Sequence, residues 1–341
     1  MRLVHGRIGG TVAVPLNRRA HLSRIRDWGC MSYAKVTIVG AGQVGATAAQ
    51  LILLHDIADV VLVDVVEGLP QGKALDMMHM RSVEEFGPTI LGTNDYADTA
   101  GSDVVVITAG MPRKPGMTRD DLLAANRAIV EAVVPPVVAA SPDAVLLCVT
   151  NPLDVMTYLA WKLSGFPATR VIGMGGLLDS ARFAYAIAEK TGEPLDKIEA
   201  LVMGAHGDGM VPMPRHSSVE CTMLDQLLAP ADIEELVHRT INGGAEVVGL
   251  LKSGSAFYAP AGSIARMVFA IVNNTNEVLP SCVYLNGKYE IKDVYLSVPA
   301  SLGAKGVTGV EAVPLNDEEH EALKASAATI SEAIDSLGLR G

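Results

Sequence analysis

The chain has 341 residues, of which 49% are hydrophobic and 19% charged. That length accommodates two domains and that composition buries a large core, so a mainly disordered or collagen-like chain is excluded. A net charge of −11 leaves no global basic surface for nucleic acid and repels anionic membranes at long range, so anions must be held by locally placed arginines.

Residues 1–30 stand apart from the rest. They carry Arg2, Arg7, Arg18, Arg19, Arg24 and Arg26 against one acid, Asp27. Such a shift marks a boundary. Three origins fit it: an upstream extension with initiation at Met31, an Arg-rich organelle transit peptide, or a functional basic arm. A secretory signal is not indicated, because no long apolar stretch is present. The segment is therefore expected to be a basic extension outside the fold, disordered or not native. The four cysteines (Cys30, Cys148, Cys221 and Cys282) include no C-x-x-C pair. Neither a disulfide framework nor a metal site is expected, and a reducing, cytoplasmic compartment fits best. A transit peptide would move the protein to an organelle matrix instead. No uninterrupted apolar run reaches roughly 18 residues, so no membrane span is expected.

The ordered chain opens with Lys35–Val39, a short β-branched run that reads as a strand. Gly40-Ala41-Gly42-Gln43-Val44-Gly45 follows at once, then an Ala- and Leu-rich helix to Leu54. A second apolar run, Val60–Val63, ends in Asp64. Strand, glycine turn, helix, strand and acid within one short unit are the signature of a dinucleotide site. Gly40 permits the tight turn, Gly42 lets the backbone approach a pyrophosphate, and Gly45 lets helix and strand pack closely. The helix N-terminus offers N–H groups and the positive end of a dipole to the phosphates. Asp64, about twenty residues past Gly45, can accept from both ribose hydroxyls and would repel a 2′-phosphate, which favours NAD over NADP.

The alternation continues with strands at Asp103–Thr108, Ala144–Val149 and Val171–Gly173. Helices are expected over Asp120–Ala140, with a kink or break at Pro135-Pro136, and over Asp154–Leu163. Near-continuous apolar strands alternating with helices imply a parallel sheet covered on both faces. Ligands then sit at the carboxyl ends of the strands. The loop after Thr108 carries Arg113, Lys114 and Arg119 among prolines and glycines, so a solvated loop and a lid both fit. Asn151 follows the next strand, as a turn residue or a partner for a carbonyl. Asp179 and Arg182 share a helix face at i,i+3. His206 sits in Gly204-Ala205-His206-Gly207-Asp208-Gly209, a setting none of the other histidines has. A histidine oriented by a buried carboxylate is a general acid–base, a bidentate arginine holds a carboxylate, and a nicotinamide exchanges hydride. Together they interconvert a 2-hydroxy acid and a 2-oxo acid.

The motifs GAGQVG, ITAGMPRKPGMTR, VTNPLD, LLDSARF, MGAHGD and GSAFYAPAGS resemble, in order, those of the lactate/malate dehydrogenase superfamily. The likeness is greatest to its bacterial malate dehydrogenases of lactate-dehydrogenase-like sequence. It runs from about Lys35 to about Leu337. The resemblance implies a Rossmann-type doubly wound parallel sheet over 31–176, binding NAD, followed by an α+β substrate and catalytic domain over 177–338. It implies that His206 exchanges the substrate proton and Asp179 orients it. Arg182 would clamp the C1 carboxylate, and Arg119 would polarise the reacting carbonyl when a lid over Met111–Asp121 closes. Asn151 would bond substrate. Val149, Thr150 and Asn126 would line the cofactor together with Gly40, Ala41, Gly42, Gln43, Val44, Gly45 and Asp64. Arg113 stands where malate enzymes carry arginine and lactate enzymes glutamine, so the substrate implied is malate or oxaloacetate. Ala256 would leave room for the extra carboxylate. Gly175 and Gly209 stand where larger residues are usual.

Past about Gly176 the pattern reads as long helices with fewer strands. Helices are expected over 181–191 and 231–252. A last helix has Asn316 as N-cap, Leu323, Ala327, Ile330, Ile334 and Leu337 on one face, and Gly338 at its end. The resemblance further implies a homodimer or homotetramer, with neither nucleic acid nor membrane as partner. A pyruvate-reducing enzyme is the near rival, and Arg113 speaks against it. An NAD-dependent glycosidase would need a metal site. A non-catalytic nucleotide-binding module would not need His206, Asp179 and Arg182 together.

Overall fold

In the computed structural model, which describes residues 33–112, 118–252 and 254–340 and only the backbone of Arg119 and Asp120, the apolar runs become the centre of one large sheet. The expectations for residues 1–30 and for Arg113 and Lys114 lie outside the described residues, as do those for the Arg119 side chain.

Six parallel strands form the first half of the sheet: β1 (Ala34–Val39), β2 (Ala58–Val63), β3 (Ile90–Thr93), β4 (Val104–Ile107), β5 (Val145–Cys148) and β6 (Val171–Gly173). Their order is β3-β2-β1-β4-β5-β6. Chain direction therefore reverses its progress between β1 and β4, the switch point at which doubly wound sheets bind ligands. Every residue of β4 and β5 is buried, as expected of strands covered on both faces. The covers are α1 (Gln43–Leu54), α2 (Leu69–Met80), α3 (Arg119–Ala140) and α4 (Leu153–Ser164).

Pro135 and Pro136 do not break α3, contrary to the sequence expectation. Each proline withholds a donor from the carbonyl four residues back, on Glu131 and Ala132. Both of those residues are exposed, so water can satisfy them. On the other face Val130, Val133, Val134 and Val137 are buried in the core and hold the helix across the prolines. The Asp121–Ala140 stretch is long and apolar enough to cross a membrane by length and composition alone. Here Val130, Val133, Val134 and Val137 on its apolar face are buried in the core.

The second half departs further from expectation. It contributes α5 (Gly176–Thr191), β7 (Ile198–Glu199), β8 (Val202–Gly204), β9 (Met210–Pro212), β10 (Ser218–Val219), β11 (Thr222–Met223) and the short α6 (Leu224–Leu227). There follow α7 (Pro230–Leu251), α8 (Tyr258–Val272), β12 (Glu277–Asn286), β13 (Lys292–Gly303), β14 (Gly306–Val310) and α9 (Asp317–Ser336). Strands are thus numerous rather than few, and β12 and β13, at 10 and 12 residues, are longer than any in the first half. They pair antiparallel with Pro280 directly opposite Pro299. The two missing ladder donors fall in one pair, so neither proline ends its strand. Through Cys282 opposite Gly173 the hairpin extends the parallel sheet, giving eleven strands in all. β7, β10 and β11 form a separate small sheet. Helix α8 lies back over α1 and β4, so both halves share one core. The last helix is as expected: Asn316 and Glu319 form a capping box, and Leu323, Ala327, Ile330 and Ile334 are buried.

Candidate active site

At the carboxyl end of β1 the chain turns sharply at Gly40, whose φ of +109° is left-handed. A Cβ there would stand 2.7 Å from the Ala109 nitrogen, so glycine is required on both counts. A Cβ on Gly45 would collide with the Gly40 carbonyl. Gly42 is different: a Cβ would meet nothing within 4 Å. It is exposed, as is Gln43, and no side chain caps the first turn of α1. The turn is therefore held tightly beneath, at Gly40 and Gly45, and kept open above. That is the shape a pyrophosphate on a helix N-terminus requires. Ala41 is buried and Val44 half-buried within the same turn.

Asp64 ends β2 beside this turn. Its Oδ2 accepts from the Ala41 N–H at 2.7 Å and its Oδ1 from the Val66 N–H at 2.9 Å. Lys73 of α2 donates to the Ala41 carbonyl at 2.7 Å. The sequence reading did not single out this lysine; only the fold brings α2 to the glycine turn. The residues present fit a dinucleotide with free ribose hydroxyls, NAD.

The ends of β4 and β5 complete the rim. The Thr150 hydroxyl donates to the Ala109 carbonyl at 2.7 Å, tying one strand end to the other beside Val149. Asn126 of α3 is 1% exposed. Its oxygen accepts from the Met111 N–H at 2.7 Å, and its nitrogen donates to the Met111 and Asn151 carbonyls at 3.2 and 2.7 Å. The amide is committed to these loops and shapes them from within. Asn151 is itself exposed at the rim. Helix α3 begins with a capping box between Thr118 and Asp121.

His206 lies between β8 and β9. The turn leaves β8 through Gly204, at a φ of +87°, and Ser326 of α9 closes it. The Ser326 hydroxyl accepts from the Ala205 N–H at 2.8 Å and donates to the Gly209 carbonyl at 2.6 Å. The His206 Nδ1 is 2.9 Å from Asp179 Oδ2. With Nδ1–H donating to that carboxylate, Nε2 is left for a substrate. Asp179 stands in the first turn of α5 and is 1% exposed. Its other oxygen pairs with Arg182 Nη1 at 3.3 Å. One carboxylate thus bridges the histidine and the arginine: the i,i+3 ion pair forms, and the other carboxylate oxygen lies against the imidazole. Gly175 explains itself: a Cβ there would stand 2.7 Å from a Leu153 methyl and 3.4 Å from the His206 Cβ.

Burial disfavours charge on the imidazole. The Asp179 carboxylate, by its charge and its hydrogen bond, and then Asp154 outweigh burial and the opposing Arg182, so the His206 pKa is raised. Asp154, of α4, was quoted within VTNPLD but given no role. It is 2% exposed and accepts from the His206 backbone N–H at 2.9 Å. The sequence did carry a signal: an acid inside a run, Leu153–Ala160, that is buried throughout must have a partner. Asp154 stands in the first turn of α4, three residues past Asn151 of the β5–α4 connection, so it ties the nucleotide rim to the histidine turn. Among the described residues no cluster of metal-ligating side chains occurs.

A histidine hydrogen-bonded to a buried carboxylate, an arginine on that same carboxylate and a dinucleotide turn at one end of one sheet suit hydride exchange with a carboxylate-bearing alcohol. Known proteins place the chain further. The lactate/malate dehydrogenase NAD binding domain matches residues 34–173, and the alpha/beta C-terminal domain of the same family matches residues 177–338. The malate dehydrogenase of Synechocystis sp. is 53% identical over 306 residues, 90% of this chain and 94% of that protein. The malate dehydrogenase of Roseiflexus sp. is 46% identical over 303 residues, covering 89% and 98%. Among solved structures, malate dehydrogenase from Cryptosporidium parvum has a TM-score of 0.88 at 40% identity, over 90% of this chain and 99% of that one. The lactate dehydrogenase of the same organism, solved with lactic acid and nicotinamide adenine dinucleotide, has a TM-score of 0.86 at 38% identity, over 90% and 99%. The fold alone does not separate the two substrates. From its glycine turn to its histidine pair, the chain belongs to the lactate/malate dehydrogenase family.

Proposed function

We propose that this chain is a malate dehydrogenase, which reversibly oxidises (S)-malate to oxaloacetate with NAD. The observation that carries the reading is the Asp179 carboxylate shared between His206 and Arg182, 2.9 and 3.3 Å away, on a sheet whose other end of the site is a dinucleotide turn. Curated relatives named malate dehydrogenase at about half identity support the same substrate.

Gly40, Ala41, Gly42, Gln43, Val44 and Gly45 hold the pyrophosphate, Asp64 the adenosine ribose, and Val149, Thr150 and Asn151 the rim nearer the chemistry. Bound there, NAD supplies the hydride acceptor. His206 takes the malate hydroxyl proton at Nε2 as the alcohol becomes a ketone, and returns it in the reverse direction. Asp179 keeps the ring in the tautomer that makes this possible and stabilises the imidazolium. Arg182 pairs with the C1 carboxylate. Arg119 polarises the carbonyl from a lid over Met111–Asp121, which also excludes water. Arg113 pairs with the second carboxylate of oxaloacetate. With pyruvate that guanidinium would be enclosed without a partner, at a cost of roughly 3–5 kcal/mol.

The nucleotide domain spans 31–176 and the substrate domain 177–338. The protein is cytoplasmic, a homodimer or homotetramer, and has neither nucleic acid nor membrane as partner. Two exposed apolar groups suit assembly: Leu75 at 59% and Val83 at 78% near α2, and Leu250 at 76% near the end of α7.

NADH consumption with oxaloacetate and with pyruvate, for wild type and Arg113→Gln, tests the reading. Oxaloacetate should lead by about a hundredfold or more, and the substitution should narrow that lead. Comparable turnover of pyruvate by the wild type would refute the malate assignment.

A further inference from the structure

Beneath His206 lies a carboxylate that the mechanism above leaves unused. Asp154 Oδ2 accepts from the His206 backbone N–H at 2.9 Å, and Oδ1 receives the Cys282 thiol at 3.3 Å. At 2% exposure an ionised acid needs a positive charge nearby. Among the described residues the positive charge acting on Asp154 is that of His206.

We propose that Asp154 is the second carboxylate of the proton-transfer unit, a positioning residue that holds the His206 main chain and whose charge, added to that of Asp179, keeps the catalytic proton on the imidazole. The inference rests on the acid–base reading of His206.

Among the described residues the charged and titratable groups that face the unit are few. Asp179 and Arg182 come from α5 and Asp154 from α4. The Cys282 thiol comes from β12, with Cys148 of β5 near it. Burial pushes the Cys148 thiol up to about 12 and raises Cys282 well above its usual range, so both stay neutral. With His206 protonated, two carboxylates offset an imidazolium and a guanidinium. Once the proton passes to the carbonyl oxygen of oxaloacetate, the unit is left one negative charge in excess. Burial already pushes the Asp154 carboxyl up to about 6, against the pull of the His206 charge, the His206 N–H and the Cys282 thiol. Its titration and that of His206 are therefore coupled. Each raises the cost of discharging the other.

The test is Asp154→Asn in the holoenzyme, which keeps an acceptor for the His206 N–H and removes the charge. Two readouts apply. In kcat/KM profiles the alkaline limb of oxaloacetate reduction, which needs protonated His206, moves to lower pH by about one unit. The acid limb of malate oxidation, which needs neutral His206, moves the same way. At the alkaline end reduction slows about tenfold while oxidation at the acid end accelerates relative to its own maximum. A merely structural role would scale both reactions with their limbs in place, and that result overturns the proposal. The second readout needs no substrate: the His206 imidazole is titrated by NMR in labelled wild type and variant. It separates this inference from the malate reading, since a protein that turns over no malate still reports the midpoint. If Asp154→Asn does not fold, Cys282→Ala carries the test. Losing the thiol donor weakens the ionised carboxylate, and the imidazole midpoint moves the same way by a smaller amount. An unmoved midpoint overturns the proposal.

Discussion

The nucleotide half of the site and its histidine half are made of different material. The first is main chain. β1, the Gly40–Gly45 turn and α1 are contiguous, and what they offer is N–H groups with space above Gly42. The second is side chain. His206, Asp179 with Arg182, and Asp154 arrive from three separate segments, and Ser326 from a fourth fastens the histidine turn. A main-chain site fails when atoms are added to it. A side-chain site fails when a group is removed or its charge is lost.

The largest effect follows from removal in the second half. His206→Asn should lower kcat by about 10²–10⁴-fold in both directions, because no other described group stands at the Asp179 oxygen to exchange the proton. NADH affinity, read by fluorescence titration, should stay that of the wild type. A variant that also lost NADH would show that the two halves are mechanically one, which the Asp154 link between rim and histidine turn makes a real alternative.

Addition in the first half comes next. In Gly45→Ala the new methyl meets the Gly40 carbonyl, a backbone atom that cannot rotate away. Overpacking of this kind costs about 1–3 kcal/mol. The urea midpoint should fall, and NADH binding should weaken as the turn opens. Whatever cofactor still binds should support a near-normal kcat, since His206 and Asp179 are untouched. Wild-type stability in this variant would mean that the turn yields more readily than its packing indicates.

The same division explains what could be read from residues alone. A strand, six-residue turn and helix are local, so each glycine and Asp64 could be given a physical task before any fold was known. The capping of α9 at Asn316 is local too, and it stands as read. His206 and Asp179 lie 27 residues apart, and no spacing rule joins them; their pairing came from resemblance to a family. Asp154 went unread because its partner is 52 residues downstream. β12 and β13 were missed for a related reason. Pro280 and Pro299 each argue against a strand when met singly, and only their pairing across the hairpin removes the objection. In α3, buried valines on one face decide against the helix-breaking tendency of two prolines.

The smallest effect sharpens the division most, because it adds an atom to the side-chain half. α7 carries Gly243 and Gly244 in its interior, where alanine would favour the helix by up to about 1 kcal/mol at each position. The stem of Arg182 lies against them: a Cβ on Gly243 would stand 3.3 Å from Arg182 Cδ, and one on Gly244 3.6 Å from Nη2. Gly243→Ala should therefore leave Tm unchanged or raise it, while displacing the guanidinium by a few tenths of an ångström. In the proposed function Arg182 holds the substrate carboxylate, equally in the ground and transition states. Its displacement should thus raise KM for oxaloacetate, by roughly twofold to fivefold, and leave kcat and NADH affinity alone. A higher Tm with KM unmoved would mean that the flexible stem absorbs the methyl. Side-chain machinery would then tolerate added atoms where the glycine turn does not, because a stem with several rotatable bonds has other rotamers to adopt and a carbonyl fixed between strand and helix has none.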